Sequence, residues 1–250
     1  VSSDSPGFRA LMYHEVLPES ELPAGGRPID VNDGYHDLLP ERLFVGLRAF
    51  RDQVCWLVEN GYTTVSLGDI RRFYEHGSPL PPCAVLLTFD DLYHSVLDHA
   101  FPVLCEYGLR AVGFVVRDWV FDAPQPRTPE YSRTLSWPEL NQMRDVFELA
   151  HHSAALHTRD DGGAAVQSTS RDALLHDLER GAPGLDEPTV YAYPFGALSP
   201  QTTTWLADGG VTLAFTTDSG YNDASTQRLQ LHRTGVFSST TFDEFVGAVR

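Results

Sequence analysis

The chain has 250 residues, 42% of them hydrophobic, and its 18 Lys+Arg against 34 Asp+Glu leave a formal charge of −16. A chain this long buries roughly 70–75% of its unfolded surface, so it needs no disulfide staples, and intrinsic disorder is excluded for most of it. The charge, without any basic stripe carrying interleaved aromatics, argues against nucleic acid, and the longest apolar runs fall far short of the ~20 residues that span a bilayer.

In chain order, Phe8–Tyr13 reads as a first strand, and the polar, Gly/Pro-containing residues 17–40 read as loop. Across 41–60, Leu43, Leu47, Phe50, Val54 and Leu57 recur at three- and four-residue spacing and stop at Asn60-Gly61, which predicts a helix with a C-terminal glycine. Thr63–Leu67 follows as a β-branched strand. Ala84–Phe89 and Ala111–Val116 are continuous apolar runs of the kind buried on both faces of a parallel sheet, and Val96, Ala100, Val103 and Leu104 mark a helix between them. Ser136-Trp137-Pro138-Glu139 fits a capping box opening a helix toward Met143. Val146–Ala150, Val190–Tyr193, Val211–Phe215 and Leu229–Leu231 give weaker strand signals, with loops at 121–134 and 159–170.

This alternation predicts β-α units around a parallel sheet, and without repeats or linkers the expectation is one domain over residues 1–250. Cys55, Cys83 and Cys105 are odd in number and lack CxxC spacing, so buried free thiols are expected. No charged stretch followed by an apolar run precedes Phe8, although the first residue is Val rather than Met. The expectation leans cytoplasmic, with secretion as the alternative.

Residues able to do chemistry collect just past the predicted strands: His14, Asp90 and Asp91, Arg117 and Asp118, His152, Pro194, Asp218 and His232. In a parallel sheet or barrel all carboxyl-terminal strand ends open on one face, so these side chains can converge. Adjacent carboxylates at such an end can divide labour, one binding a cation while the other handles a proton. A set of one of these aspartates with His152 and His157, leaving open positions, suits Zn²⁺ or another first-row divalent ion. Each piece alone is more often a solvated turn or helix N-cap, or a surface histidine pair, and His94, His99 and His151 are taken as structural.

Taken in order, Thr88-Phe89-Asp90-Asp91, His152-Ser153 with His157, and Tyr193-Pro194-Phe195-Gly196 resemble the metal-dependent polysaccharide deacetylases of carbohydrate esterase family 4, the NodB-homology group. Tyr13-His14-Glu15 and the His-Ser-x-x-x-His spacing bring the likeness nearer to the branch acting on poly-β-1,6-N-acetylglucosamine. The resemblance covers about residues 8–248 and implies an α/β fold, a distorted (β/α)7 barrel. It implies an N-deacetylase of N-acetylhexosamine glycans with Asp91, His152 and His157 as metal ligands and Asp90 as the base that deprotonates water. The Phe195 backbone N–H would stabilise the oxyanion, and His14, with His232 second, would protonate the leaving amine. Zinc comes first as the metal, with cobalt, nickel or iron as alternatives.

Leu92 stands where the family usually has glycine, and Ala192 where its wider pattern has arginine, a replacement familiar in the poly-N-acetylglucosamine branch. Arg233 is the expected guanidinium partner of Asp90. Competing readings keep the chemistry on a small acylated metabolite, or make the chain a non-catalytic carbohydrate-binding module.

Overall fold

The computed structural model describes residues 7–250. Among the described residues the principal sheet has eight parallel strands, seven of which form the barrel wall: β1 Gly7–Tyr13, β2 Ala84–Asp90, β3 Ala111–Val115, β4 Phe147–His151, β5 Glu187–Ala192, β6 Leu213–Phe215 and β7 Thr234–Gly235; the eighth, Thr63–Thr64, pairs parallel with the start of β2. The seven lie in the order β6-β5-β4-β3-β2-β1, with β7 pairing parallel to the far side of β1. Leu231, just before β7, makes a parallel bridge to Phe215 of β6. Residues 231–235 therefore touch both edges and close a distorted (β/α)7 barrel, with Asn222–Asp223 adding a short antiparallel pairing to the start of β1.

Among the described residues seven helices of six residues or more accompany the strands, α1 Leu47–Glu59, α2 Leu67–His76, α3 Phe101–Tyr107, α4 Trp137–Gln142, α5 Arg171–Gly181, α6 Pro200–Asp208 and α7 Phe242–Val249, beside a single helical turn at Ala165–Ser168. Period-two alternation along the strands separates two cores. Phe8 and Ala10, Ala84 and Leu86, Val112 and Phe114, Ala150, Val190 and Ala192 fill the barrel interior. Leu11, Val85, Leu87, Phe89, Phe147 and Leu149 face outward among residues of α1, α3 and α7. Continuing the inward parity past each strand gives His14 after Met12, Asp90 after Thr88 and His152 after Ala150. The barrel pattern itself aims these three side chains at the carboxyl-terminal mouth.

Several expectations are corrected. The helix predicted over 41–60 begins only at Leu47, because Glu41–Leu43 is a 3-10 turn and Phe44–Gly46 a strand paired with Glu15–Leu17. The strand at Thr63–Leu67 stops at Thr64, since Ser66 forms a reciprocal capping box with Asp69 and starts α2. Leu229–Leu231 contributes only the Leu231 bridge. The presumed loops are partly ordered into sheet: Arg27–Asp30 pairs with Leu38–Leu39 and Ser132–Arg133, and Arg159–Asp160 pairs with Gly163–Ala164. Helices α2, α5, α6 and α7 carried no segment prediction. The cysteines are free, but Cys55 is half-buried and Cys83 and Cys105 are exposed. No helix among the described residues is long and apolar enough to cross a membrane.

Candidate active site

A cleft of about 340 Å³ opens at the carboxyl-terminal mouth, and its walls include His14, Asp90, Asp91, His152, His157 and Phe195. Arg117, Asp118, Asp218 and His232 do not line it. Asp118 pairs with Arg180 at 2.8 Å, Arg117 lies over the Trp137 ring, and the His232 backbone N–H donates to Asn222. The neighbour of His232, Arg233, is the residue that reaches the site.

Asp90 and Asp91 diverge because the chain turns between them. Asp90 ends β2 in extended geometry, whereas Asp91 (φ +66°) and Leu92 (φ +56°) are both left-handed. That region costs an L-residue about 1 kcal/mol or more. Leu92 offsets the strain through packing: it is 1% exposed, and a Cβ on Gly113 of β3 would lie 2.6 Å from Leu92 Cδ1. The leucine that replaces the expected glycine therefore occupies space that Gly113 leaves open.

Arg233, fully buried, grips Asp90 bidentately, Nη1 to Oδ1 at 2.6 Å and Nη2 to Oδ2 at 2.9 Å. Its Nε donates to the Thr216 carbonyl and Nη1 also to Thr88 Oγ1, so the guanidinium is fixed from three sides. Burial alone raises the Asp90 pKa, but the charge of Arg233, helped by His152 and His14, outweighs it and holds Asp90 well below the usual carboxylate range. Asp91 lacks such a partner, and burial raises its pKa.

The Tyr93 hydroxyl donates to Asp91 Oδ2 at 3.0 Å, while the buried Oδ1 has no hydrogen-bond partner among the described residues. His157 Nε2 lies 3.5 Å and His152 Nε2 3.7 Å from that oxygen. His152 Nδ1 bonds the Ala192 carbonyl at 2.8 Å, which leaves Nε2 as its lone-pair nitrogen. His157 is oriented differently: its Nδ1 has no hydrogen-bond partner among the described residues, and its ring sits between Trp119 (4.5 Å) and Phe195 (4.4 Å). Burial lowers the pKa of His152 to about 4 and of His157 to about 3, so both are neutral near pH 7. One orphaned carboxylate oxygen and two neutral imidazole nitrogens, all within 4.8 Å of one another, fit one divalent ion.

The histidine loop is held by Asp177 of α5, a residue the sequence reading did not single out. Its carboxylate accepts from Ser153 Oγ and from the backbone N–H groups of Ala154 and Ala155 at 2.8–2.9 Å. Ser153 Oγ in turn accepts from the Leu156 N–H at 2.6 Å. The available signal was one buried carboxylate on a helix stripe otherwise formed by Leu174, Leu178 and Gly181.

Phe195 sits in the Pro194–Gly196 turn at φ +58°, its ring against His157 and under the Arg159 guanidinium. Gly196 is obligatory there: its φ is +68°, and a Cβ would meet Thr217 Oγ1 at 2.1 Å. His14 is half-buried in the cleft wall; burial lowers its pKa, while Asp90 and Asp91 oppose that shift.

Fold and cleft together define an α/β-barrel protein with a candidate centre for one divalent metal at the carboxyl ends of its strands. Residues 77–214 match the polysaccharide deacetylase family, and the chain belongs to that family. It is 35% identical over 180 residues to the poly-β-1,6-N-acetyl-D-glucosamine N-deacetylase of Escherichia coli K12, covering 68% of this chain and 23% of that protein. The chain thus spans about a quarter of that relative's length. The Staphylococcus epidermidis protein of the same name is 23% identical over 215 residues, covering 83% of this chain and 71% of the relative. Among solved structures, IcaB from Ammonifex degensii superimposes with a TM-score of 0.76 at 25% identity, covering 98% of this chain and 96% of that one. The Streptococcus pyogenes deacetylase PplD shares the fold with a TM-score of 0.75 at 19% identity, covering 98% and 99%.

Proposed function

We propose that this chain, acting as one catalytic domain over about residues 8–248, hydrolyses the N-acetyl amide of N-acetylhexosamine units in a glycan, with poly-β-1,6-N-acetylglucosamine as the first candidate. The observation that carries this reading is the divided aspartate pair. Asp91 offers an unpartnered oxygen beside two neutral imidazoles, and Asp90 is kept ionised by Arg233.

Asp91, His152 and His157 hold the metal, zinc first. When bound, that ion supplies Lewis acidity toward the acyl oxygen and the attacking water. Asp90 accepts the proton released as water adds to the amide carbon. Because Arg233 lowers its basicity, Asp90 stays deprotonated throughout the working pH range but is a weak base. The Phe195 backbone N–H, in the turn beside the metal residues, donates to the developing oxyanion. His14, on the cleft wall, delivers a proton to the leaving nitrogen as the C–N bond breaks, and solvent exchange then takes the proton from Asp90 and returns one to His14. His232, which does not line the cleft, has no part in this scheme.

Acetate release from N-acetylglucosamine oligomers, followed with and without chelator, tests the proposal. Chelator-sensitive release is expected. Release that persists without metal, or no release from any N-acetylated glycan, overturns it.

A further inference from the structure

A second cavity, about 430 Å³, lies beside the catalytic cleft and shares no lining residue with it. Neighbouring residues of the same backbone segments serve the two spaces. His14 lines the cleft and Glu15 the second cavity; Tyr93 lines the cleft and His94 the second cavity; Ile29 and Arg27 divide in the same way.

Four of its polar side chains are more than nine-tenths buried, Glu15 at 2%, Ser95 at 4%, Arg27 at 7% and His94 at 8% exposure. Glu15 Oε1, Arg27 Nε and His94 Nε2 each lack a close hydrogen-bond partner among the described residues, although Ser95 and Ser132 lie beside the Glu15 carboxylate and Glu139 Oε2 stands 4.0 Å from His94 Nε2. A buried polar group left unpaired is costly, so three around one cavity mark a space suited to a polar occupant. The walls carry Glu15, Glu21 and Asp98 against Arg27, Arg127 and Arg133, so neither sign dominates, and a phosphate or a bare metal ion gains little there. The unpaired atoms comprise an acceptor, a donor and an imidazole nitrogen of either role, a set that matches hydroxyl and acetamide groups. At the rim Tyr131, 42% exposed, offers an amphipathic ring of the sort that packs against a sugar face.

We propose that this cavity is a saccharide site, separate from the cleft, that takes one N-acetylhexosamine unit. It deepens the glycan reading and rests on it for the identity of the sugar. The unit is either a free monosaccharide or part of a longer chain, and the two are distinguished by comparing N-acetylglucosamine with its β-1,6-linked tetramer.

Both ligands are titrated into metal-loaded, ¹⁵N-labelled Asp90→Asn protein, whose turnover is suppressed. The expected result is two separable sets of amide shifts, one around His152 and Phe195 and one around Arg27, Ser95 and Tyr131. Thr128→Trp, which fills the rim without altering the buried groups, and His94→Leu should each weaken the second set at least tenfold and leave the first unchanged. Engagement of a chain-linked unit predicts that Thr128→Trp, in otherwise unmodified protein, raises KM for the tetramer and not for the monomer. A free unit predicts no change in either. Shifts confined to the cleft, or soaked crystals showing only ordered water in the second cavity, overturn the proposal. Failure of the deacetylase reading appears separately, as absent acetate release from the unmodified protein whichever way the shifts fall.

Discussion

Asp90 and Asp91 are adjacent in sequence, yet a bidentate guanidinium holds one and a tyrosine hydroxyl leaves the other half free. Asp91→Ala, His152→Ala and His157→Ala should each abolish retention of metal, read by elemental analysis of the purified protein. Asp90→Asn should retain metal while losing roughly 10²–10⁴ in rate, the usual worth of a general base. Metal loss in that variant would reverse the assigned roles. Arg233→Ala strands a buried carboxylate, so it should cost about 3–5 kcal/mol in urea unfolding. With the guanidinium gone, burial dominates and the Asp90 pKa rises, so the acid limb of the pH–rate profile should move to higher pH; an unmoved limb would deny the pairing a role in setting that pKa. At Leu92, Gly113→Ala should destabilise by about 1–3 kcal/mol through overpacking, and Leu92→Ala in the same chain should recover part of that loss. A fully additive double-mutant cycle would show that the two residues do not share the space.

At the scale of elements, the central strands were the most legible feature. In the structure Ala84, Leu86, Thr88 and Asp90 alternate on one face, and Ala150 with His152 does the same, but the runs are apolar on both faces, so the sequence alone left open which neighbour points inward. His151 instead bonds the Leu178 carbonyl of α5. The convergence of Asp91, His152 and His157 and the Asp90–Arg233 contact were expected from the family resemblance, and the structure brings these residues together. What the strand pattern could not supply was the path of the chain after each strand. His232 was considered and Arg233 reaches the site, because register within the short closing segment depends on pairing to β1 and β6, which lie far away in sequence. Asp177 stayed hidden for a related reason, since its partners are backbone amides of a distant loop. Asp177→Leu should free that loop: with three buried donors unpaired, a loss of about 3 kcal/mol or more is expected in unfolding, with weakened metal affinity in a competition titration. Unchanged affinity would mean that the loop holds its shape unaided.

For the whole molecule, the buried imidazoles set how stability responds to acid. Burial first, and the charge of Arg127 second, hold His94 at about 4, against 6.5 when unfolded. The unfolded chain therefore gains a proton between about pH 6.5 and 4 that the folded protein refuses, so stability from this group is complete above 6.5 and declines as pH falls to 4. Urea unfolding at a series of pH values should show His94→Leu losing less stability than the unmodified protein across that window; parallel curves would refute the assignment.

The closure of the barrel through residues 231–235 has a consequence for native-state dynamics. The stretch that pairs β1 and bridges Phe215 also carries the guanidinium neutralising Asp90, so any local opening of this seam breaks backbone pairing and an internal ion pair together. Amide hydrogens along the seam should thus exchange with solvent only in rare, large-scale openings, and a molecule caught with its seam apart has lost its catalytic poise before the remaining strands have separated.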